Sequence, residues 1–402
     1  MTCCPLAVPS PPTDEVLDAL ASAAAGSGPL LLPHAPGERP DIEADLLDRQ
    51  VPLGRDEGGG FAVGTSGSTG LAKRVLLSAS ALAASADATH ARLGGPGRWL
   101  LALPAHHIAG LQVVLRSLRA GYTPAFLPNA GSFTPGVFVE AVAGFAAPRR
   151  YVSLVPTQLG RIVVDDAAVD AARSLDAVLI GGAALSGVVE RRARELGIPL
   201  VLTYGMSETC GGCVYDGLPL DGVHLRLERG RIHLAGDMLA SGYLLDPGTH
   251  AGSEDAAFQQ HGGLRWFRTS DVGRLVDGRL VIDGRLDDVI ITGGLKVWPA
   301  EVEQALAPAV ADDCDMVVVG LPDPEWGQRV AVALECPDSR ACALTDLIDH
   351  ARTVLPPHAR PTITRALRQL PRLPVGKVDR ARVASLLMAS EWDDGCSTPQ
   401  EG

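Results

Sequence analysis

Between Phe61 and Thr203, short apolar runs alternate with longer alanine-rich stretches of helical period, and this alternation restricts the fold more than any other feature. Phe61–Val63, Trp99–Leu103, Thr123–Leu127, Tyr151–Val155, Ala177–Ile180 and Pro199–Thr203 have the length and near-continuous hydrophobicity of strands buried on both faces. Ser80–Leu93, Ile108–Arg119, Gly136–Phe145, Gln158–Asp165 and Gly187–Leu196 lie between them, joined by short Gly- and Pro-containing connections. The pattern predicts an α/β fold with a mostly parallel sheet covered by helices. Residues 1–60 are rich in Pro, Gly and Ala, with helical patches at Asp14–Ala25 and Asp41–Arg49.

Past Gly222 the texture changes. Val223–Leu227, Arg231–Leu234, Arg274–Val276 and Arg279–Ile282 are short alternating segments separated by Gly and Asp-Gly turns, which reads as a small antiparallel unit, a barrel in the simplest case. A third texture begins at Gly284-Arg285-Leu286-Asp287, with a helix at Pro299–Leu306, strands at Asp315–Gly320 and Arg329–Leu334, and a helix at Leu344–Val354. A boundary at Asp287 divides the chain into domains 1–286 and 287–402, in keeping with a length of 402 residues.

Composition excludes several classes. A net charge of −12 gives no electrostatic footprint for nucleic acid or an anionic membrane surface. No uninterrupted apolar run spans a bilayer, and the start Met1-Thr2-Cys3-Cys4-Pro5 lacks the basic and apolar regions of a signal peptide, so a cytoplasmic location without membrane insertion is expected. Eight cysteines do not form a disulfide framework, and Cys210-Gly211-Gly212-Cys213 has no second CxxC to complete a zinc site. Small-molecule substrates are expected; oligomeric state is left open, a homo-oligomer included.

Only three of the 35 basic residues are Lys: Lys73, Lys296 and Lys377. Where Arg replaces Lys almost everywhere, a retained Lys points to a need for its compact ammonium. All three lie in Gly-containing motifs. Thr65-Ser66-Gly67-Ser68-Thr69-Gly70-Leu71-Ala72-Lys73 follows a strand and suits closure of backbone N–H groups and hydroxyls on a phosphate chain, although it is not a Walker loop. A flexible Ser/Gly loop is the plain alternative. Tyr204-Gly205-Met206-Ser207-Glu208-Thr209 follows Pro199–Thr203; a carboxylate there can hold Mg²⁺ against nucleotide phosphates, or the Ser can simply cap a helix. Arg268-Thr269-Ser270-Asp271 and Gly284-Arg285-Leu286-Asp287-Asp288 suit a ribose diol, or are polar turns. Gly293-Gly294-Leu295-Lys296 and Pro374-Val375-Gly376-Lys377 each set a lysine beside glycine, for an anionic ligand or as solvated basic loops.

In this order and spacing the five motifs resemble the adenylate-forming superfamily of acyl-CoA synthetases, peptide-synthetase adenylation domains and luciferases, from Val63 to about Arg380. Within it, His90–Gly97, Pro104-Ala105-His106-His107-Ile108-Ala109-Gly110 and Tyr204–Gly217 resemble the o-succinylbenzoate–CoA ligases of menaquinone biosynthesis, in their short form. The resemblance implies a large N-terminal domain of two α/β sheets and a small β-barrel, with a smaller mobile α+β C-terminal domain hinged at Asp287. It implies a carboxylate activated by ATP and Mg²⁺ to an acyl-adenylate, then passed to CoA. Thr65, Ser66, Gly67, Ser68, Thr69, Gly70 and Lys73 would hold the β- and γ-phosphates, Ser207 the α-phosphate and Glu208 the metal. Gly181, Gly182, Ala183 and Tyr204 would line the adenine slot, and Asp271 and Arg285 would hold the ribose. Lys377 would bridge the acid's carboxylate and the α-phosphate, and Gly293, Gly294 and Lys296 would border CoA. His107, Thr157, Gly205 and Met206 would border the acid. The sequence departs from the superfamily pattern at Ala72-Lys73-Arg74, where Pro-Lys-Gly is usual, and at Ser270, where Gly is usual. Two alternatives stand beside this reading: a ligase for another aryl or acyl acid, and a degenerate paralogue that binds nucleotide without chemistry.

Overall fold

The computed structural model describes residues 3–38, 58–64, 74–128, 133–244, 257–311, 314–335, 341–372 and 378–389. The chain separates into two compact units, one of Met1–Leu185, Val189–Thr269 and Arg274–Val281, the other of Ser186–Val188, Ser270–Gly273 and Ile282–Gly402.

The first unit contains two sheets whose strands alternate with helices. One has the order Cys3–Ala7, Leu30–His34, Gly60–Gly64, Arg74–Ser78, Gly242–Leu244. Its first two strands were not expected, because Pro5 and Pro33 break their apolar runs. Pro5 is tolerated on the edge strand, and Pro33 lies beyond Leu30 and Leu31, the residues that pair with Gly60 and Phe61. The second sheet has the order Leu218–Pro219, Gly211–Tyr215, Leu200–Met206, Ala177–Ile180, Arg150–Leu154, Arg98–Leu101, Ala125–Phe126; the last five are mutually parallel.

Successive strand residues feed two cores. Trp99, Leu101, Tyr151 and Leu179 pack with Leu82, Leu111 and Leu115, and with Phe61, Val75 and Leu77 of the other sheet. The helices Ala79–Arg92 and Ile108–Arg119 are thus embedded between the two sheets. Leu100, Val152, Leu154, Val178 and Ile180 pack on the opposite face with Phe138, Leu159 and Val169. Burial on both faces explains the uninterrupted hydrophobicity of these strands, each buried Leu, Val or Phe contributing roughly 1.5–3 kcal/mol. The helix expected at Gln158–Asp165 is Pro156–Ile162, and an unexpected helix, Asp166–Arg173, follows it, capped by the Asp165 side chain, which accepts from Ala168 N at 2.9 Å.

The antiparallel texture past Gly222 is a sheet of His224–Glu228, Arg231–Ala235, Leu264–Val276 and Phe258–His261, with Arg279–Arg285 paired to Leu264–Val276. The second unit carries a sheet in the order Leu295–Val297, Ile290–Thr292, Gly327–Glu335, Asp315–Asp323, with Ile363–Leu367 beside Gly327–Glu335. The helices Pro299–Leu306, Ala341–Val354 and Arg380–Met388 complete this α+β layer. Among the described residues no helix is long and apolar enough to cross a membrane.

Candidate active site

The parallel strands of the second sheet end in register: Leu100 opposes Val152, Leu154 opposes Ile180, and Ile180 opposes Leu202. The segments leaving them emerge along one edge, neighbours about 4.8 Å apart, where open α/β sheets bind ligands. His107 lies beyond Arg98–Leu101, Thr157 beyond Arg150–Leu154, and Gly181, Gly182 and Ala183 beyond Ala177–Ile180. Gln158 ties two of these ends together, donating from Nε2 to Ala102 O (2.9 Å) and accepting at Oε1 from Val155 N (3.0 Å). Thr203 Oγ1 donates to Ile180 O at 3.1 Å, and a Cβ on Gly181 would overlap that hydroxyl. The strand end there is left as bare backbone.

The Leu200–Met206 strand runs three residues past its expected end at Thr203. Antiparallel pairing with Gly211–Tyr215 (Tyr204 with Val214, Gly205 with Gly212, Met206 with Gly211) extends it. Tyr204, Gly205 and Met206 are therefore strand residues, and Gly205 is needed because a Cβ would enter the Gly211 carbonyl. Ser207–Thr209 then makes one turn of 3₁₀-helix, and Cys210 reverses the chain at φ +52°. The Cys210 carbonyl accepts from Gln112 Nε2 (2.8 Å) and Ser85 Oγ (3.0 Å), so both embedded helices fix this turn. Burial pushes the thiols of Cys210 and Cys213 up, the latter to about 12. They are inert thiols, and among the described residues no group of three His, Cys, Asp or Glu could hold a metal by itself.

Glu208 is held from a third direction. Tyr243 Oη donates to its Oε1 at 3.0 Å, and Ala240 N donates to its carbonyl at 2.9 Å. Tyr243 lies opposite Val75 in the pairing of Gly242–Leu244 with Arg74–Ser78, the strand that directly follows the expected phosphate loop. One oriented carboxylate fits Mg²⁺, which takes one or two carboxylates together with phosphate oxygens and water and needs no all-protein cage. Thr65, Ser66, Gly67, Ser68, Thr69, Gly70, Lys73 and Lys377 lie outside the described residues.

Sequence reasoning missed Arg116. It belongs to Ile108–Arg119, is 3% exposed, and its Nε and Nη2 have no hydrogen-bond partner among the described residues. A Cβ on Gly211 would stand 4.0 Å from Ile108 Cγ1, 3.5 Å from Gln112 Cγ and 3.9 Å from Arg116 Nη2. These three residues, four apart, form the row of the helix that faces Gly211, just past Glu208. The available signal was this spacing, which sets a cation in line with buried residues.

In the second unit, Asp271 and Arg285 meet: Arg285 Nη1 donates to Asp271 Oδ1 (3.3 Å) and Nη2 to Asp287 Oδ2 (3.1 Å). Burial works against the Arg285 charge, but the carboxylates of Asp271, Asp287 and Asp288 outweigh it and raise its pKa. Gly293 and Gly294, at φ +56° and +79°, form the two-residue turn joining Ile290–Thr292 to Leu295–Val297, a shape that requires positive φ at both positions. Lys296 is exposed on the outgoing strand.

Residues 63–244 match the family model of AMP-binding enzymes, and residues 301–377 match that of the AMP-binding enzyme C-terminal domain. The probable 2-succinylbenzoate–CoA ligase of Mycobacterium tuberculosis is 43% identical over 379 residues, covering 92% of this chain and 94% of the relative. The chain belongs to the AMP-binding enzymes, in their 2-succinylbenzoate–CoA ligase branch. Two solved structures of the o-succinylbenzoate CoA synthetase (MenE) from Bacillus subtilis share the fold. One, in complex with the acyl-adenylate OSB-AMP, is 25% identical with a TM-score of 0.68, covering 91% of this chain and 80% of that one. The other, in complex with ATP and magnesium ion, is 27% identical with a TM-score of 0.65, covering 80% and 69%.

Proposed function

We propose that this enzyme converts 2-succinylbenzoate, ATP and CoA to 2-succinylbenzoyl-CoA, AMP and pyrophosphate. A carboxylate is a poor electrophile because its leaving group would be oxide. Attack of a carboxylate oxygen on the α-phosphorus expels pyrophosphate and forms a mixed anhydride. The CoA thiolate then attacks the acyl carbon and expels AMP, so one hard displacement becomes two easier ones. Mg²⁺, held by Glu208, would offset phosphate charge. Ser207 would donate to the α-phosphate, the loop Thr65–Gly70 and Lys73 would hold the outer phosphates, and Gly181, Gly182, Ala183 and Tyr204 would border adenine. Asp271 and Arg285 would meet the ribose. Lys377 would reduce repulsion between the carboxylate and the α-phosphate as they approach. A swing at Asp287 would then exchange that lysine for the Gly293-Gly294 turn beside CoA. His107, Thr157, Gly205 and Met206 would border the acid. Use of ATP and CoA suits a cytoplasmic enzyme.

Arg116 carries the reading. The acid has two carboxylates, one activated and one to be recognised. A buried guanidinium with partnerless donors costs several kcal/mol in the empty enzyme, a cost that a bound carboxylate offsets. Arg116 faces Gly211, beside the Ser207-Glu208 turn, and would bind the second carboxylate. The test is CoA-ester formation over a panel of aryl acids. 2-Succinylbenzoate should be strongly preferred, and equal turnover of benzoate would overturn the assignment. Lys377→Ala should abolish pyrophosphate release yet leave thioester formation from pre-made acyl-adenylate largely intact.

A further inference from the structure

The Arg116 guanidinium carbon stands 5.2 Å from the centre of the Trp99 ring. Trp99 is fully buried and fastened on several sides. Its backbone N–H donates to Ser117 Oγ at 2.8 Å. Its ring meets Tyr151 at 5.0 Å between centroids, and the Tyr151 hydroxyl lies 3.1 Å from Leu93 O and 3.0 Å from Gly95 O. Its indole Nε1–H donates to His90 Nε2 at 3.3 Å. His90 comes from the Ala79–Arg92 helix and is itself buried.

The indole nitrogen has only a proton to give, so His90 Nε2 must accept and the imidazole carries its proton on Nδ1. Protonating His90 would set N–H against N–H and add a second cation beside Arg116. Burial first, and then the charge of Arg116, hold the His90 pKa down to about 4; Asp87 pulls upward and Arg119 adds to the downward push. The imidazole is neutral at working pH.

Resting on the assignment of Arg116 to the second carboxylate, we propose that His90 and Trp99 are positioning residues for that arginine. The indole face seats the guanidinium, and the bond to His90 fixes the tilt of the indole. The tilt in turn aims Nη2, which has no partner among the described residues, at Gly211. Neither residue needs to touch the acid. A cation over an indole face is held with a direction that an aliphatic wall cannot supply.

The experiment compares kcat/KM for 2-succinylbenzoate with that for 3-benzoylpropionate, the same skeleton without the ring carboxylate. Four variants are used: Arg116→Met, Trp99→Phe, His90→Leu and His90→Gln, the last keeping an acceptor for the indole N–H. Arg116→Met should remove the preference for the dicarboxylate. Trp99→Phe and His90→Leu should each reduce that preference about ten-fold, through KM for the dicarboxylate with kcat nearly unchanged. His90→Gln should restore most of it. If Arg116→Met keeps the preference, the assignment of Arg116 fails. If Arg116→Met loses it while the other variants keep it, only the positioning role fails. The positioning role fails as well if Trp99→Phe and His90→Leu weaken both acids equally, which is what a purely structural role would do. Should Trp99→Phe not fold, the contrast between His90→Leu and His90→Gln decides the question.

Discussion

The Tyr243 hydroxyl donates to the Glu208 carboxylate at 3.0 Å and helps set its direction. Replacing Tyr243 with Phe removes one hydrogen bond to a charged group and little packing. The magnesium concentration needed for half-maximal pyrophosphate release should rise about three- to ten-fold, with thermal stability nearly unchanged. A magnesium titration of the variant checks this, and an unaltered curve would show that Tyr243 does not orient the proposed metal ligand. His90 gives a pH dependence of definite sign. Its ordinary pKa of 6.5 falls to about 4 on folding. Between those values the unfolded chain binds a proton that the folded chain refuses. Stability is full above pH 6.5 and falls as the pH drops towards 4, by up to about 3 kcal/mol. Denaturant unfolding at pH 7, 5.5 and 4.5 should show a flatter acid decline in His90→Gln than in the parent; equal slopes would mean that His90 is not buried neutral.

The carboxyl edge of the second sheet is assembled by side chains that bridge elements, and Gln158 is the clearest of them. Gln158→Ala leaves the Ala102 carbonyl and the Val155 N–H without their partner and should cost about 2 kcal/mol. It should also raise KM for the acid, since both strand ends border its expected place; urea unfolding and steady-state kinetics measure the two effects. At this scale the sequence was informative wherever periodicity and punctuation agreed. Ile108–Arg119 and Pro299–Leu306 form with the expected bounds, the second because Pro299 sits at its first turn. It misled where punctuation came from a partner. Gly205 looks like a loop residue, yet its small size serves the close pairing with Gly211. Cys3–Ala7 and Leu30–His34 were hidden by prolines that only an edge position or a local lapse in pairing makes acceptable. Arg116 was illegible for a related reason. Its period marks it as buried, but the strand it faces is encoded far along the chain, so nothing local distinguishes a ligand-binding cation from a packed one.

For the molecule as a whole, the proposed cycle needs one segment to change conformation between the half-reactions. Asp287 stands in the short turn Leu286–Asp288, where its side chain accepts from Arg285. Proline there would fix φ and oppose rotation. Asp287→Pro should retain acyl-adenylate formation but slow thioester formation about ten-fold or more, as single-turnover measurements of each step would read. Equal rates in both steps would move the hinge elsewhere. The pairing of Gly242–Leu244 with Arg74–Ser78 has a bearing on sequence drift. Leu244 faces Arg74, and Tyr243, which grips Glu208, faces Val75. The anchorage of the carboxylate and the strand that follows the proposed phosphate loop are thus two points on one ladder. Arg74 and Val75, which follow that segment in sequence, are held in register with Leu244 and Tyr243. Arg74, where the superfamily usually has glycine, is absorbed as a buried rung of that ladder, opposite Gly64, so this departure falls on the scaffold.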